Sequence, residues 1–341
     1  MSDHSSLHLL IGGEKLSGGS RETQDVIDPA TAEVLGSLPH ATSDDLDTAL
    51  ANADKGFHAW RKESADKRAA ALNKAASLIR ERAGEIAGLL TREQGKPIKE
   101  AVGEVIYCAM LFEFYAGEAK RTYGRSLVRP EGQSARVIYV PVGPVAGFAA
   151  WNFPAINVAR KIGGAIAAGC SVIVKPSEET PAAGLALVQC LLDGGVPGDV
   201  CQVVFGVPDD VSRHLIASPV IRKVTFTGST AVGKHLMKLS ADDMKVTTME
   251  LGGHAPVMVF KDSDVDTVLD TMVGAAFRNA GQVCVSPTRF LVEEDLFPAG
   301  DVDAGTGHER RIIGRQERCK NTNFLSGTEP ADRDTLGVLR D

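Results

Sequence analysis

Glu250 and Cys284 have the side-chain types needed to make and break an acyl bond. Glu250 lies in Met249-Glu250-Leu251-Gly252-Gly253, just after an expected strand and where two glycines permit a tight backbone. Cys284 lies in Gly281-Gln282-Val283-Cys284-Val285-Ser286, after an expected helix over 265–279. An exposed thiol, partly thiolate, can attack a carbonyl. A carboxylate nearby can take a proton from that thiol or from a hydrolytic water. Taken alone, the pair is outweighed by a plainer account, a buried packing cysteine and a surface carboxylate, because free cysteines are commonly buried.

Three other segments carry polar groups at expected strand ends. Phe226-Thr227-Gly228-Ser229-Thr230-Ala231-Val232-Gly233 follows a strand and opens a helix. Its small residues would let backbone amides approach a phosphate at a helix N-terminus, although a simple strand-to-helix turn reads the same way. Val174-Lys175-Pro176-Ser177-Glu178-Glu179-Thr180-Pro181 places a lysine and a carboxylate where they could hydrogen-bond ribose hydroxyls, or form a solvated loop. In Ala150-Trp151-Asn152-Phe153-Pro154 the Asn152 amide could donate to a developing oxyanion. Trp151 and Phe153 read more naturally there as core aromatics.

The elements that must position these residues follow from periodicity. Residues 23–39 read as short strands and turns. Thr42 can cap a helix whose face is Leu46, Ala49, Leu50, Ala53, Phe57 and Trp60. A longer helical region starts near Ala65, with a stripe from Leu72 to Leu90, and ends or kinks at Pro97; another helix spans about 98–121. From Arg136 onward, strands are expected over 136–140, 145–149, 171–174, 201–205, 223–226 and 256–260. Helices lie between them over 156–168, 181–194, 209–218 and 231–241. Buried strands alternating with helices indicate an α/β fold with a doubly wound parallel sheet, whose ligands bind beyond the carboxyl ends of the strands.

Composition removes several classes. The 341 residues are 43% hydrophobic, with 37 basic against 44 acidic side chains and a net charge of −7. That balance, without a basic block, argues against a nucleic-acid partner. No apolar run is long enough to span a membrane, and residues 1–10 lack the pattern of a secretory signal. The six cysteines form no CxxC pair, which argues against a disulfide framework and a structural metal site. A reducing, cytoplasmic setting is expected.

Together and in this order, the segments resemble the NAD(P)-dependent aldehyde dehydrogenase superfamily. The matching pieces are AWNFP at 150–154, KPSEETP at 175–181, FTGSTAVG at 226–233, MELGGHAP at 249–256 and GQVCVSP at 281–287, with TREQGKP at 91–97 a further family-like segment. In look the chain is closest to the succinate-semialdehyde dehydrogenase group, although Ser286 stands where many of that group carry a second cysteine. The resemblance implies a small-molecule aldehyde substrate and assigns roles. Cys284 would form a thiohemiacetal and then a thioester, Asn152 and the Cys284 amide would hold the oxyanion, and Glu250 would activate water. Trp151, Lys175, Ser177, Glu178, Gly228, Ser229, Gly233 and Leu251 would line the cofactor site. Glu178, able to accept from a ribose 2′-hydroxyl and to repel a 2′-phosphate, implies NAD rather than NADP.

The resemblance implies a Rossmann-like NAD-binding domain over 1–252, with 122–142 as an oligomerisation-type hairpin, and the first part of a catalytic domain over 253–297. Family members form homo-oligomers. The likeness stops after Leu296-Phe297-Pro298, and only 12 of the 44 residues from 298 to 341 are apolar. Those residues read as an aberrant, disordered tail on a C-terminally truncated member with an incomplete second domain. A second reading follows from that: a catalytically inactive remnant that at most binds nucleotide.

Overall fold

Short apolar runs bounded by turns become strands, and longer stretches of helical period become helices, in a computed structural model that describes residues 4–293 and 296. The chain divides into two compact units, one ending at Leu251 and the other beginning at Gly252.

The first unit opens with a 3-10 turn at His4–Ser6 and two antiparallel pairs. These are β1 (Leu9–Ile11) with β2 (Glu14–Leu16), and β3 (Thr23–Ile27) with β4 (Val34–Pro39). Four helices follow: α1 (Ser43–Trp60), α2 (Ala65–Glu81), α3 (Ala83–Gln94) and α4 (Ile98–Ala119). A reciprocal cap starts α1: the Thr42 hydroxyl accepts from the Asp45 N–H, and the Asp45 carboxylate accepts from the Thr42 N–H. The single long helix expected from Ala65 is divided at Arg82, whose backbone (φ −96°, ψ 9°) leaves the helical region. The Arg82 guanidinium there is paired with Asp193 at 2.6 Å. Helix α3 ends at Gly95 with φ +86°, a conformation that a side chain would strain.

After the short antiparallel pair β5 (Arg125–Leu127) and β6 (Ala135–Val137), strands and helices alternate. They are β7 (Val145–Phe148), α5 (Pro154–Ala168), β8 (Val172–Lys175), α6 (Pro181–Asp193), β9 (Cys201–Val203), α7 (Pro208–Ala217), β10 (Lys223–Gly228), α8 (Thr230–Ala241) and β11 (Val246–Leu251). They build one seven-stranded sheet in the order β11-β10-β7-β8-β9-β1-β2. The first five strands are parallel; β1 joins β9 antiparallel through Leu10 and Val203. This edge pair was absent from the expected strands, because three-residue segments carry too little periodicity to register.

Every residue of β7, β8 and β9 is buried, as expected for strands covered by helices on both faces. Helix α5 lies tightly against α4: a Cβ at Gly163 would fall 2.7 Å from the Tyr115 ring. The chain winds outward from β7 through β8 to β9, then returns to place β10 on the other side of β7. The crevice at such a reversal, beyond the carboxyl ends of the strands, is where open α/β sheets bind ligands.

The second unit contains β12 (Ala255–Val259), α9 (Val265–Phe277), a 3-10 turn at Arg278–Gly281 and β13 (Pro287–Val292). β12 and β13 pair in parallel. The helix expected to reach residue 279 stops two residues earlier, because Asn279 and Ala280 take left-handed φ values of 51° and 54°. The expected tail over 298–341 lies outside the described residues. Among the described residues, no helix is long and apolar enough to cross a membrane.

Candidate active site

The turn after β7 carries Trp151 and Asn152. Pro154 begins α5, and Phe153 supplies no side-chain cap. The cap comes from α4 instead: Glu104 Oε1 accepts from the Ala155 and Ile156 N–H groups at 3.0 and 3.1 Å. Glu104 is also paired with Lys96 at 2.5 Å, both side chains being buried. Burial raises the Glu104 carboxyl above the usual carboxylate range, and the Lys96 charge opposes that shift. Lys96 Nζ donates to the Asn152 carbonyl at 3.2 Å and lies 4.3 Å from the centre of the Phe153 ring. Asn157 Nδ2 donates to the Ala150 carbonyl and to Asn152 Oδ1, each at 3.2 Å. Asn152 is therefore held by its backbone and by its side-chain oxygen, an arrangement that orients the donor end of the amide. Contrary to the core reading of the two aromatics, Trp151 is 42% exposed and Phe153 half-buried. The turn lies on the surface beyond the strand end, so only its anchors are internal.

At the end of β8, Lys175 and Glu178 form a buried ion pair. The solvated-loop alternative fails for these two residues. The loop after β9 folds against them, and Glu178 Oε1 accepts from the Gly206 N–H at 3.4 Å. Ser177 donates through its hydroxyl to Glu179.

β10 runs two residues further than the sequence suggests, to Gly228. Ser229 then caps α8, its hydroxyl accepting from the Val232 N–H at 3.3 Å. A Cβ at Gly233 would come within 2.6 Å of Leu251 Cδ2, so this position holds the first turn of α8 close to β11. Glu250 sits inside β11, opposite Thr227 in the parallel register, and not after the strand as the sequence suggested. It is exposed on the outermost strand of the sheet. Beneath this pair, buried Lys161 of α5 donates to Thr227 Oγ1 at 2.6 Å. Burial lowers its ammonium pKa to about 7, and the charge of Glu250 resists the shift.

Cys284 belongs to the second unit. It occupies a turn in which the Ser286 N–H donates to the Val283 carbonyl at 3.0 Å, just before β13. It is the exposed thiol among the described cysteines; Cys108, Cys170, Cys190 and Cys201 are all buried. Burial pushes those four thiols up, Cys190 to about 11, which leaves them without nucleophilic thiolate near neutrality.

The first unit thus gathers Trp151, Asn152, Lys175, Ser177, Glu178, Gly228, Ser229, Gly233, Glu250 and Leu251 at or just beyond the carboxyl ends of β7, β8, β10 and β11. Lys96, Glu104 and Lys161 escaped the sequence reading. Each is a charged residue on or beside an otherwise apolar helix face, a signal that also fits an ordinary solvated position until burial is known.

Residues 16–300 match the model of the Aldehyde dehydrogenase family. The chain is 50% identical over 298 residues to 4-(hydroxymethyl)benzenesulfonate dehydrogenase TsaD1 of Comamonas testosteroni, covering 87% of this chain and 62% of that protein. It is 40% identical over 291 residues to the NADP(+) succinate-semialdehyde dehydrogenase GabD of Escherichia coli K12, covering 84% and 60%. The crystal structure of succinate-semialdehyde dehydrogenase from Burkholderia pseudomallei superposes with a TM-score of 0.82 at 41% identity, covering 85% of this chain and 60% of that one. The chain therefore spans about three-fifths of the length of these relatives.

Proposed function

The chain belongs to the aldehyde dehydrogenase family, and from that premise we propose that it serves the oxidation of an aldehyde bearing an anionic group to the carboxylate, with NAD as hydride acceptor. The observation that carries the chemistry is the state of the thiols: of the described cysteines, the exposed one, Cys284, is the one in the GQVCVSP segment. The anionic group is inferred from the relatives, whose names give a benzenesulfonate, succinate semialdehyde and glutarate semialdehyde.

In this reading the Cys284 sulfur adds to the aldehyde carbon, forming a C–S bond as the carbonyl oxygen becomes an oxyanion. The Asn152 amide, oriented by Asn157 and Lys96, donates to that oxyanion together with the Cys284 N–H. Re-formation of the C=O bond expels the hydrogen of that carbon as hydride, for which a bound dinucleotide would supply the acceptor, and leaves a thioester on Cys284. Glu250 takes a proton from water as it attacks the thioester carbon, the C–S bond breaks, and the carboxylate and the Cys284 thiol are released.

Residues of the first unit suit a dinucleotide. The Lys175–Glu178 pair at the end of β8 offers a cation and an acceptor to an adenosine ribose. The start of α8 at Ser229 offers N–H groups to a pyrophosphate, while Gly228 and Gly233 let the turn pack closely on Phe226 and Leu251. NAD is proposed over NADP because the Glu178 carboxylate would face a 2′-phosphate with like charge.

The test is NADH absorbance with the full chain and three aldehydes: succinate semialdehyde, glutarate semialdehyde and the aldehyde of a benzenesulfonate. Turnover abolished by Cys284→Ser and strongly reduced by Glu250→Gln is the expected result. NAD binding without turnover would replace this reading with that of a nucleotide-binding protein.

A further inference from the structure

The segment Thr91–Pro97 sends two charged side chains into the interior, Glu93 and Lys96, each 3% exposed. Lys96 meets Glu104. Glu93 turns instead to the start of α6. Helix α6 begins at Pro181, and its N-cap residue, Thr180, makes no side-chain cap. The N–H groups of Ala182 and Ala183 donate to Glu93 Oε2 and Oε1 at 2.8 and 2.9 Å, so the carboxylate of α3 satisfies two donors that the helix cannot satisfy itself. His4 Nε2 lies 3.3 Å from Glu93 Oε2.

We propose that Glu93 is a positioning residue for the adenosine-ribose pair Lys175–Glu178; the proposal rests on the reading of that pair given above. A cap supplied by an adjacent residue moves with its helix. A cap supplied by α3 fixes the first turn of α6 in the frame of another helix. Little slack separates that turn from Glu178. The Thr180 N–H is bonded to the Ser177 carbonyl at 3.2 Å. Pro176 is packed against α6 so closely that a Cβ at Gly184 would lie 3.0 Å from its Cγ. Glu178 is tied on its far side to the Gly206 N–H. Displacement of the Ala182 and Ala183 amides is therefore passed through Ser177–Thr180 to the Glu178 carboxylate, which Lys175 also holds.

The experiment measures AMP and NAD binding to the full chain by calorimetry for wild type, Glu93→Gln, Glu178→Gln and the double variant. Gln at 93 keeps one acceptor and turns the other into a donor facing N–H groups. Glu93→Gln is expected to weaken AMP and NAD by the same factor, about tenfold, the lower end of what losing an outer hydrogen-bond partner costs a metal-binding side chain. The effect should disappear in the Glu178→Gln background, because a residue that acts through Glu178 has nothing left to position. A purely structural role predicts an equal loss in both backgrounds, and that result overturns the proposal. So does AMP affinity within twofold of wild type in Glu93→Gln when Glu178→Gln is weakened. If Glu93→Gln does not fold, Glu93→Asp, which keeps the charge but falls short of both amides, is judged by the same cycle. A wild-type chain that binds neither AMP nor NAD refutes the ribose-site reading itself and removes the proposal with it.

Discussion

Replacing Glu104 by Gln breaks a buried charge pair on one side only, and the consequences can be worked from its contacts. The wild-type carboxylate accepts from two backbone amides at 3.0 and 3.1 Å and faces Lys96 at 2.5 Å. Gln can keep the amide bonds through its oxygen, but its NH2 then points at an ammonium ion. Lys96 would retain the Asn152 carbonyl and the Phe153 ring while losing its counter-charge. Uncompensated burial of one partner costs about 3–5 kcal/mol, whereas removing both charges together is often close to neutral. At roughly 2–4 °C per kcal/mol for a unit of this size, Glu104→Gln should lower the unfolding midpoint by about 10 °C. Lys96→Met combined with Glu104→Gln should recover most of that loss. Thermal unfolding followed by the fluorescence of Trp60, which is fully buried with its indole N–H donating to the Ile166 carbonyl at 3.0 Å, provides the assay. A single variant that melts within 2 °C of wild type, or a double variant no better than the single one, would refute the electrostatic argument.

Lys161 should make stability depend on alkaline pH. Its folded pKa, about 7, lies below the unfolded value of 10.5, so between those values the unfolded chain binds more protons. The stability of wild type relative to Lys161→Met should therefore rise from pH 7 towards 10.5, by at most about 1.4 kcal/mol per pH unit; a flat difference in urea midpoints counts against it. Glu178→Ser should raise the NADP-to-NAD affinity ratio at least about tenfold by removing a like charge from the 2′-phosphate position. Quenching of the exposed Trp151 would report it, and an unchanged ratio would show that the carboxylate does not read the ribose. With a maleimide on the native chain, Cys284 should be labelled well before Cys108, Cys170, Cys190 and Cys201, which become reactive only on unfolding. Peptide mapping by mass spectrometry distinguishes this from uniform labelling.

Residue order alone carried the alternation of strands and helices from Val145 onward and the motifs that mark the family. It did so because β-branched runs, glycine turns and helical stripes are local signals that need no distant partner. It also singled out Cys284 and Glu250 by residue type, but could not separate an exposed thiol from a packed one. Tertiary structure decided that question by burying the other four described cysteines. It likewise put Glu250 inside the outermost strand opposite Thr227, and moved Trp151 from an expected core place to the surface. The caps on α5 and α6 lay beyond any local reading. Glu104 and Glu93 reach helices that begin 50 and 88 residues further along the chain, at Pro154 and Pro181. A hydrogen bond across such a separation exists only after the packing of α3 and α4 has brought a carboxylate to an unsatisfied helix start, where burial makes the bond costly to leave unmade.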